Sequence, residues 1–355
     1  MKPLRVGIIG LGFGQRVLVP AFQLDRRYAV TALCATSVER ARAAARSLGV
    51  PHAYGDWQAM VAAPDLDVIA VATPPAVQPD IIRAALAQRK HVFCEKPLAT
   101  TREAAQALLA AARQAGVAHM VDFEFPEAEE WRRAKTFLER GTLGALRHAV
   151  VSWQMETYAN RAGLSSWKTR ADMGGGTLNL FVSHTFSYME WLLGPVRCLS
   201  ARLFPAGAEP ESDGNDTLAV LCLVMENGMP VSVTVSAQAL FGNGHVVEVY
   251  GERASFVLEN RTPDYVRGFT LRYGERGQSA LAELPVEAWQ SREGDGRIGA
   301  VARLVQRLAD WIETGRPSRP SLEEGYRVQC LLEAARESSE TKRWVDVSAE
   351  AVSCR

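Results

Sequence analysis

The stretch "RVGIIGLGFGQ", residues 5–15, decides the fold because it joins a short apolar run directly to a glycine-rich turn. The first glycine of such a turn permits a tight bend, and the second lets backbone amides approach a pyrophosphate at the N-terminus of the next helix. Gln15 takes the place of the third small residue of that fingerprint. The pattern predicts a dinucleotide-binding loop. Its predicted cofactor contacts are Gly10, Gly12, Phe13, Gly14 and Gln15.

The residues around this turn alternate between two kinds of segment. From Leu4 to about Val121, short apolar runs are followed by Ala- and Arg-rich stretches of helical composition. Such alternation predicts βαβ units, and therefore a parallel sheet with helices on its faces. Ligands of these sheets bind at the carboxyl ends of the strands. We therefore predict an N-terminal Rossmann dinucleotide-binding domain over residues 1–122.

The second part of the chain has a different pattern. Beyond residue 140, apolar and polar residues alternate along strands that are separated by Gly, Pro and Asn turns. This period of two predicts a C-terminal α+β domain over residues 123–355 with a large, mostly antiparallel open sheet, so the whole chain is of the α/β class. Two helices are predicted at about Ile298–Glu313 and Leu322–Ser338, and two polar loops at 205–216 and 291–297.

Composition narrows the range of partners. The chain has 355 residues, with 40 Lys and Arg against 40 Asp and Glu, so no charge excess favours nucleic acid or an acidic membrane. No apolar stretch approaches the roughly 20 residues of a membrane helix. The six cysteines are scattered without a C-x-x-C pair or the spacing of metal ligands. We therefore expect a cytoplasmic protein with a small-molecule partner and no metal.

The end of the second predicted strand bears on the choice between NAD(H) and NADP(H). When the cofactor is NAD, this strand usually ends in an acid that binds the ribose diol. Ala35 stands there instead, and Thr36, Ser37 and Arg40 follow. Hydroxyls and a guanidinium suit a 2′-phosphate, so NADP(H) is favoured and NAD(H) is possible. The alternative is that these residues only begin the next helix, with Ser37 as its cap.

The stretch "HVFCEKPLATT", residues 91–101, ends another apolar run in a glutamate, a lysine and a proline. Pro97 fixes its own φ and restricts the backbone of Lys96, so the position of the ammonium group is well defined. Hydride transfer to a ketone creates an alkoxide, which a fixed ammonium stabilises or protonates. The simpler alternative is a Glu95–Lys96 pair on the surface at the end of a strand. Cys94 is interpreted as a buried strand thiol.

Three stretches follow one another along the chain: the glycine-rich turn, "VATPPAVQPDIIRAALAQRKHVFCEKPLATT" (residues 71–101) and "SSWKTRADMGGGTLNLFVSH" (residues 165–184). Together they resemble the glucose-fructose oxidoreductase, inositol dehydrogenase and rhizopine-catabolism (Gfo/Idh/MocA) family over nearly the whole chain. The resemblance implies that Lys96 lies near the nicotinamide and the reacting carbon, and that His184 is an acid–base residue. It further implies cofactor contacts from Thr73, Pro74, Gln78, Glu95 and Lys96, and substrate contacts from Trp167, Lys168, Asn179 and His184. Homodimers or homotetramers that pack through the C-terminal sheet are implied as well.

The chain departs from the family pattern at several positions. An aspartate that relatives typically carry four residues before the histidine is Leu180 here, so His184 lacks its usual carboxylate support. The asparagine-arginine or tyrosine-arginine pair found in many relatives is replaced by Glu124-Phe125. Two simpler interpretations stay open, namely that His184 is a buried hydrogen-bonding residue and that Trp167 is a loop aromatic.

We expect an NADP(H)- or NAD(H)-dependent oxidoreductase that transfers a hydride to or from a carbohydrate-like substrate, such as a sugar, a keto-sugar or a cyclic polyol. One alternative is an NAD-dependent enzyme that cleaves a glycoside or eliminates a group and keeps its cofactor. Another is a non-catalytic dinucleotide-binding sensor. Leu180 and Gln78 favour the sensor because they replace an aspartate and a histidine of the family and cannot carry a proton, whereas the presence of Lys96 and His184 opposes it.

Overall fold

The computed structural model describes residues 2–205, 215–286 and 294–348. The chain forms two compact units, the first built from residues 1–124 and 290–329 and the second from residues 125–289 and 330–355. The polar loop predicted at 205–216 lies largely outside the described residues, as do residues 291–293 of the loop predicted at 291–297, whose last residue, Arg297, begins a helix.

The sheet of the first unit has six strands, all parallel, in the order β3-β2-β1-β4-β5-β6. Its central strands are continuous apolar runs because helices cover both faces, and every residue of β4 is buried. This arrangement confirms the predicted Rossmann sheet. The strands are β1 (Leu4–Ile9), β2 (Tyr28–Cys34), β3 (His52–Tyr54), β4 (Val68–Val71), β5 (His91–Cys94) and β6 (His119–Val121).

The helices begin and end at residues suited to those places. Ser37, Asp56 and Thr101 accept backbone N–H groups at helix N-termini, and Gly49 and Gly116 adopt left-handed conformations at the C-termini. The helices are α1 (Leu11–Phe13), α2 (Val19–Gln23), α3 (Val38–Leu48), α4 (Trp57–Ala62), α5 (Gln78–Ala87), α6 (Arg102–Ala115), α7 (Glu129–Glu139), α8 (Tyr158–Arg161), α9 (Ser183–Leu193), α10 (Arg297–Thr314) and α11 (Leu322–Thr341).

The helix α10 belongs to the core of the first unit although it lies far along the chain. Leu304 and Leu308 are fully buried in the same cluster as Ile8 of β1 and Phe93 of β5. The hydroxyl of Tyr28 donates to the carbonyl oxygen of Val305, over a distance of 3.0 Å. The amphipathic pattern of α10 therefore covers the parallel sheet.

The sheet of the second unit has nine strands in the order β14-β13-β12-β11-β7-β10-β9-β8-β15. Neighbouring strands are antiparallel except β7 and β10, which run parallel, so the predicted large and mostly antiparallel sheet is confirmed. The strands are β7 (Leu146–Gln154), β8 (Val196–Pro205), β9 (Asp216–Met225), β10 (Pro230–Ser236), β11 (Gly244–Gly251), β12 (Ala254–Asn260), β13 (Thr270–Glu275), β14 (Ala282–Leu284) and β15 (Val345–Asp346).

One face of this second sheet is covered and the other is partly open. Along β9, Ala219 and Leu221 are buried, whereas Val220 and Cys222 between and after them are exposed. This alternation is what a sheet with a single packed face requires. In the part of the chain that the structure describes, no helix is long and apolar enough to cross a bilayer.

Candidate active site

The turn after β1 needs glycine for reasons that differ from one position to the next. Gly10 has a φ of 101°, and a Cβ on it would lie 2.2 Å from the carbonyl oxygen of Ala72. A Cβ on Gly14 would lie 2.9 Å from the side chain of Ile8, whereas one on Gly12 would have nothing within 4 Å. The exposed backbone at Gly12 therefore faces open space. That opening fits a pyrophosphate, which binds backbone amides at the start of a helix.

The helical segment after this turn runs continuously from α1 through a π-helical turn at Gly14–Leu18 into α2. Gln15 and Phe13 are half-buried. The guanidinium of Arg297, at the start of α10, lies 4.9 Å from the centre of the Phe13 ring. Arg297 also forms an ion pair with Asp295, with 2.7 Å between nitrogen and oxygen. Sequence reasoning missed Arg297, because nothing local to it signals a place beside the glycine-rich turn.

At the end of β2, Thr36 and Arg40 are exposed, as a cofactor contact requires. Ser37 caps α3 by accepting the backbone N–H of Arg40 at 3.3 Å, and its hydroxyl donates to the carboxylate of Glu39 at 2.7 Å. The capping role weighed as an alternative for Ser37 is therefore present. Contacts of Thr36, Ser37 and Arg40 with a 2′-phosphate stay a prediction.

After β4, Thr73 and Pro74 are half-buried, whereas Gln78 is fully buried. The amide nitrogen of Gln78 lies 2.6 Å from the carbonyl oxygen of Glu95, 3.0 Å from that of Pro97 and 3.3 Å from that of Leu98. Its hydrogens are thus directed at the loop that carries Lys96. The structure gives Gln78 a role in holding that loop, and its predicted contact with a cofactor stays a prediction.

The Glu95-Lys96-Pro97 loop begins where β5 ends. The backbone N–H of Glu95 donates to Val71 at 2.9 Å, and that of Lys96 donates to the Glu95 carboxylate at 3.1 Å. The peptide bond between Lys96 and Pro97 is cis. Lys96 is half-buried. Complete burial raises the pKa of the Cys94 thiol well above its usual value, which agrees with its interpretation as an inert strand residue.

Two acidic residues follow β6 at the same edge of the sheet, and only one of them, Glu124, stands out in the sequence, as a departure from the family pattern. Asp122 and Glu124 are 1% and 5% exposed. Burial raises the pKa of Asp122 well above its usual value, and it raises that of Glu124 to about 7. The positive charges of Lys96 and Arg297 act in the opposite direction on both. We call Glu95, Lys96, Asp122, Glu124 and Arg297 the Lys96 cluster.

In the second unit, Gly175 and Gly176 of the triple glycine before α9 lie close to backbone and side-chain atoms of other segments. A Cβ on Gly175 would lie 2.5 Å from the carbonyl oxygen of Lys168, and one on Gly176 would lie 2.5 Å from the carboxylate of Asp216. That carboxylate accepts the backbone N–H of Leu178 at 2.6 Å. The glycines therefore allow close packing of the segment that leads to α9.

The three predicted substrate residues before His184 have different surroundings. Asn179 is 3% exposed, and its amide oxygen accepts a hydrogen bond from Arg336 at 2.6 Å. Its amide nitrogen lies 3.3 Å from the carbonyl oxygen of Gly175, so the side chain stabilises the segment. Trp167 is half-buried and Lys168 is exposed, with its ammonium 5.8 Å from the centre of the Trp167 ring. Substrate contacts from these residues stay predictions.

His184 is the second residue of α9 and is 6% exposed. Its ring meets that of Phe125 edge to face, with 5.0 Å between centroids. Leu180, which replaces the aspartate of the family, is half-buried in the π-helical turn Leu178–Val182. The imidazole of His184 thus lies against an aromatic surface, and its acid–base role stays a prediction.

A second histidine of this unit was missed by sequence reasoning. His245 of β11 stacks on Trp153 of β7, with 4.0 Å between centroids, and its Nε2 lies 2.9 Å from the hydroxyl of Tyr188. Burial lowers the pKa of His245 to about 3, so the ring is neutral. Phe125 lies at the centre of this aromatic cluster. Its ring partners are Trp131, Trp153, His184, Tyr188, His245 and Phe269.

No group of three or more His, Cys, Asp or Glu residues in the described part of the chain could hold a metal ion. The parallel sheet, the open glycine-rich turn and the lysine loop at its carboxyl edge define an oxidoreductase with a dinucleotide-binding Rossmann unit. Residues 4–123 match the profile of the oxidoreductase family with an NAD-binding Rossmann fold, and residues 135–347 match its C-terminal alpha/beta domain. The chain belongs to the Gfo/Idh/MocA family and is an NAD(P)-dependent oxidoreductase acting on CH–OH or C=O groups.

Several relatives span the chain. An uncharacterized oxidoreductase of Synechocystis is 32% identical, over 97% of this chain and 96% of its own length. Levoglucosan dehydrogenase of Pseudarthrobacter phenanthrenivorans is 25% identical, over 98% of this chain and 99% of its own length. A solved structure of levoglucosan dehydrogenase in complex with NADH has a TM-score of 0.86 at 24% identity, with 98% of this chain and 99% of that chain covered. This likeness of structure supports the fold.

Proposed function

We propose that the protein is an NADP(H)-preferring dehydrogenase or reductase of a carbohydrate-like substrate. The observation that carries the proposal is the placement of Lys96 at the carboxyl edge of the sheet that also carries the open glycine-rich turn. Gln78 directs its amide hydrogens at the carbonyl groups on both sides of Lys96, and so restricts the loop. The nicotinamide, when bound, supplies or accepts the hydride.

Lys96 is the residue that we assign to the oxygen of the reacting carbon. In reduction, the carbonyl oxygen gains negative charge, which the ammonium group stabilises or neutralises by donating a proton. In oxidation, the amine receives that proton from the alcohol. We assign a proton-transfer role to His184 as well, since an imidazole titrates near neutral pH.

The substrate class rests on the relatives. Levoglucosan dehydrogenase is named for an anhydro-sugar, and it covers almost the whole of this chain. A sugar, keto-sugar or cyclic polyol is therefore the class that we propose. The Glu124-Phe125 pair gives this chain a different environment after β6 from that of relatives with an arginine there, so the preferred substrate is expected to differ as well.

The activity can be tested directly. Purified protein should oxidise NADPH with a keto-sugar from a panel, or reduce NADP⁺ with the matching alcohol. Lys96→Ala should lower turnover by about 10²–10³. Lys342→Ala removes an exposed lysine of the second unit and should leave turnover unchanged. Normal turnover in Lys96→Ala would defeat the proposal, and a purified protein that already carries NAD and needs no added cofactor would favour the glycoside-cleaving alternative.

The preference for NADP(H) is proposed from the end of β2. Ala35 replaces the usual acid there, and the side chains of Thr36 and Arg40 are exposed. Calorimetric titration should show tighter binding of NADPH than of NADH. Arg40→Ala should weaken NADPH selectively, by about 1.5–3 kcal/mol if the guanidinium binds the 2′-phosphate. Arg46→Ala, at the exposed end of the same helix, is the matched control, and tighter binding of NADH by the unaltered protein would overturn the preference.

We also propose a homodimer or homotetramer that associates through the open face of the second sheet. Val220 and Phe204, on adjacent strands, are 38% and 47% exposed there, and exposed apolar residues of a sheet favour association. Light scattering should give a mass of at least twice 38.8 kDa at micromolar concentration. Val220→Lys should lower that mass, and a monomer in the unaltered protein would refute the proposal. A cytoplasmic location stays part of the proposal, supported by the lack of a disulfide among the described cysteines.

A further inference from the structure

The Lys96 cluster holds more acidic groups than its cations can balance. Strands β5 and β6 are parallel neighbours in which Cys94 pairs with Val121, so the residues that follow both strands meet at one edge of the sheet. The backbone N–H of Asp122 donates to Cys94 at 2.8 Å, which ties the two strand ends together. Glu124 lies two residues beyond Asp122, and the positive charge of Lys96 acts on its carboxyl group.

Burial decides which of these acids keeps a proton. Neither carboxylate oxygen of Asp122 has a hydrogen-bond partner within the described chain, and the side chain is 1% exposed. Burial without a partner disfavours the ionised form, so the pKa of the Asp122 carboxyl is raised. Glu124 is also buried, but the charge of Lys96 opposes the effect of burial, so its pKa is raised only to about 7. The carboxyl of Glu124 thus changes its protonation near neutral pH.

The remaining charges around Glu124 come from three elements. Glu95 lies on the loop after β5 and raises the pKa of Glu124, as desolvation does. Arg297, at the start of α10, lowers it, although the guanidinium is already paired with Asp295. Asp122 lies on the same segment as Glu124. Lys96 has the largest effect among the charges that favour the ionised form of Glu124.

Resting on the proposed function of Lys96, we propose that Glu124 is the group with which Lys96 exchanges its proton between turnovers. Before alcohol oxidation, an N–H bond of the Lys96 ammonium breaks and its proton binds a carboxylate oxygen of Glu124, which leaves a neutral amine beside a neutral carboxyl. The O–H bond of the substrate then breaks and its proton binds this amine, while the hydride leaves the same carbon for the oxidised nicotinamide. The carboxyl of Glu124 finally releases its proton to solvent, which restores the ammonium beside the carboxylate, and reduction uses the same path in reverse.

The first test is the pH profile of alcohol oxidation. In the unaltered enzyme, kcat/KM should rise about tenfold per pH unit up to an apparent pKa near 7 and then level off. Glu124→Gln should lack this rise and should reach a plateau lower by about 10²-fold. Glu124→Asp should restore an ionisation in that range. Glu130→Gln removes a half-buried carboxyl of α7 and should leave the profile unchanged.

The second test does not depend on activity. Lysines of the full-length protein are ¹³C-methylated without cofactor, and the Lys96 resonance is assigned by its absence from Lys96→Ala. Its chemical shift should show a step near pH 7 in the unaltered protein and in Glu130→Gln, and no such step in Glu124→Gln. A step that persists in Glu124→Gln, or its absence from the unaltered protein, would overturn the proposal.

The two tests separate this proposal from the function on which it rests. If Lys96→Ala keeps normal turnover, the proposed function fails whatever Glu124 does. If Lys96→Ala is inactive while the pH profile of Glu124→Gln matches that of the unaltered enzyme, only the proton exchange with Glu124 is refuted. The resonance of Lys96 in the unaltered protein keeps the proposal testable even if Glu124→Gln does not fold.

Discussion

The buried amide of Gln78 offers the sharpest test of how the lysine loop is held. Substitution by methionine keeps the length of the side chain and removes both hydrogen-bond donors. The carbonyl groups of Pro97 and Leu98, which are buried, then lose the amide that lies 3.0 and 3.3 Å away. A buried polar group left unsatisfied costs about 1–3 kcal/mol. Gln78→Met should therefore lower the free energy of unfolding by roughly 2–6 kcal/mol.

The same substitution should affect turnover more than cofactor binding. Lys96 lies between the carbonyl groups of Glu95 and Pro97 that Gln78 contacts, so a relaxed loop displaces the ammonium group. A displacement of about 1 Å in a reacting group costs on the order of 10²-fold in rate. Under the proposed function, kcat should fall by that factor while the dissociation constant of the cofactor changes little.

Urea denaturation measures the first effect, and steady-state kinetics with calorimetric titration measures the second. Gln88→Met is the matched control, because Gln88 lies at the exposed C-terminal end of the same helix. It should change the free energy of unfolding by less than about 0.5 kcal/mol. If the free energy of unfolding of Gln78→Met lies within about 0.5 kcal/mol of that of the unaltered protein, the hydrogen bonds do not hold the loop and the reasoning is refuted.

Three further predictions concern the same regions. Gly12→Ala should fold normally, because a Cβ there meets nothing within 4 Å, yet should weaken cofactor binding by at least about tenfold in calorimetry; unchanged affinity would place the pyrophosphate elsewhere. His245 has a pKa of about 3 in the folded chain against 6.5 unfolded, so stability should fall as pH drops below 6.5, by about 2 kcal/mol at pH 5, and urea titrations of His245→Gln should show a weaker dependence. The pKa of Glu124 is raised from 4.5 to about 7 in the folded chain, so the unaltered protein loses stability as pH rises through that range. The free energy of unfolding of Glu124→Gln should therefore exceed that of the unaltered protein by about 3 kcal/mol at pH 8 and should equal it at pH 4. The same difference at both pH values would contradict the burial argument.

Much of the fold could be predicted from the sequence because its signals are local. Each of these signals is read from residues that are neighbours in the chain. They are the glycine-rich turn, the apolar run before each helical stretch, and the strand that leads into Glu95-Lys96-Pro97. The structure places all of them in the unit built on one parallel sheet. The period of two in the second half likewise predicted an antiparallel sheet. The parallel pairing of β7 with β10 could not be predicted, because residues about eighty positions apart determine it.

The candidate site was less predictable, for the same physical reason. The sequence shows that position 78 carries an amide side chain. The groups that this amide contacts lie on a loop 17 to 20 positions away, which the sequence near Gln78 does not reveal. The place of Phe125 beside His184 and His245 depends on three distant segments of the second unit. One local signal could have drawn attention to Glu124. Two acids, Asp122 and Glu124, follow directly after the apolar strand β6, and Lys96 follows the neighbouring strand β5.

The origin of α10 has a consequence for how the protein is made. Val301, Leu304 and Leu308 complete the apolar core of the parallel sheet, yet ribosomes synthesise them about 180 residues after Val121, where the last strand of that sheet ends. The nascent first unit therefore keeps an uncovered apolar surface while eight of the nine strands of the second sheet, β7 to β14, are translated. A fragment that stops at Glu124 should aggregate on expression, and the isolated nucleotide-binding unit should become producible only when residues 294–329 are joined to it by a linker.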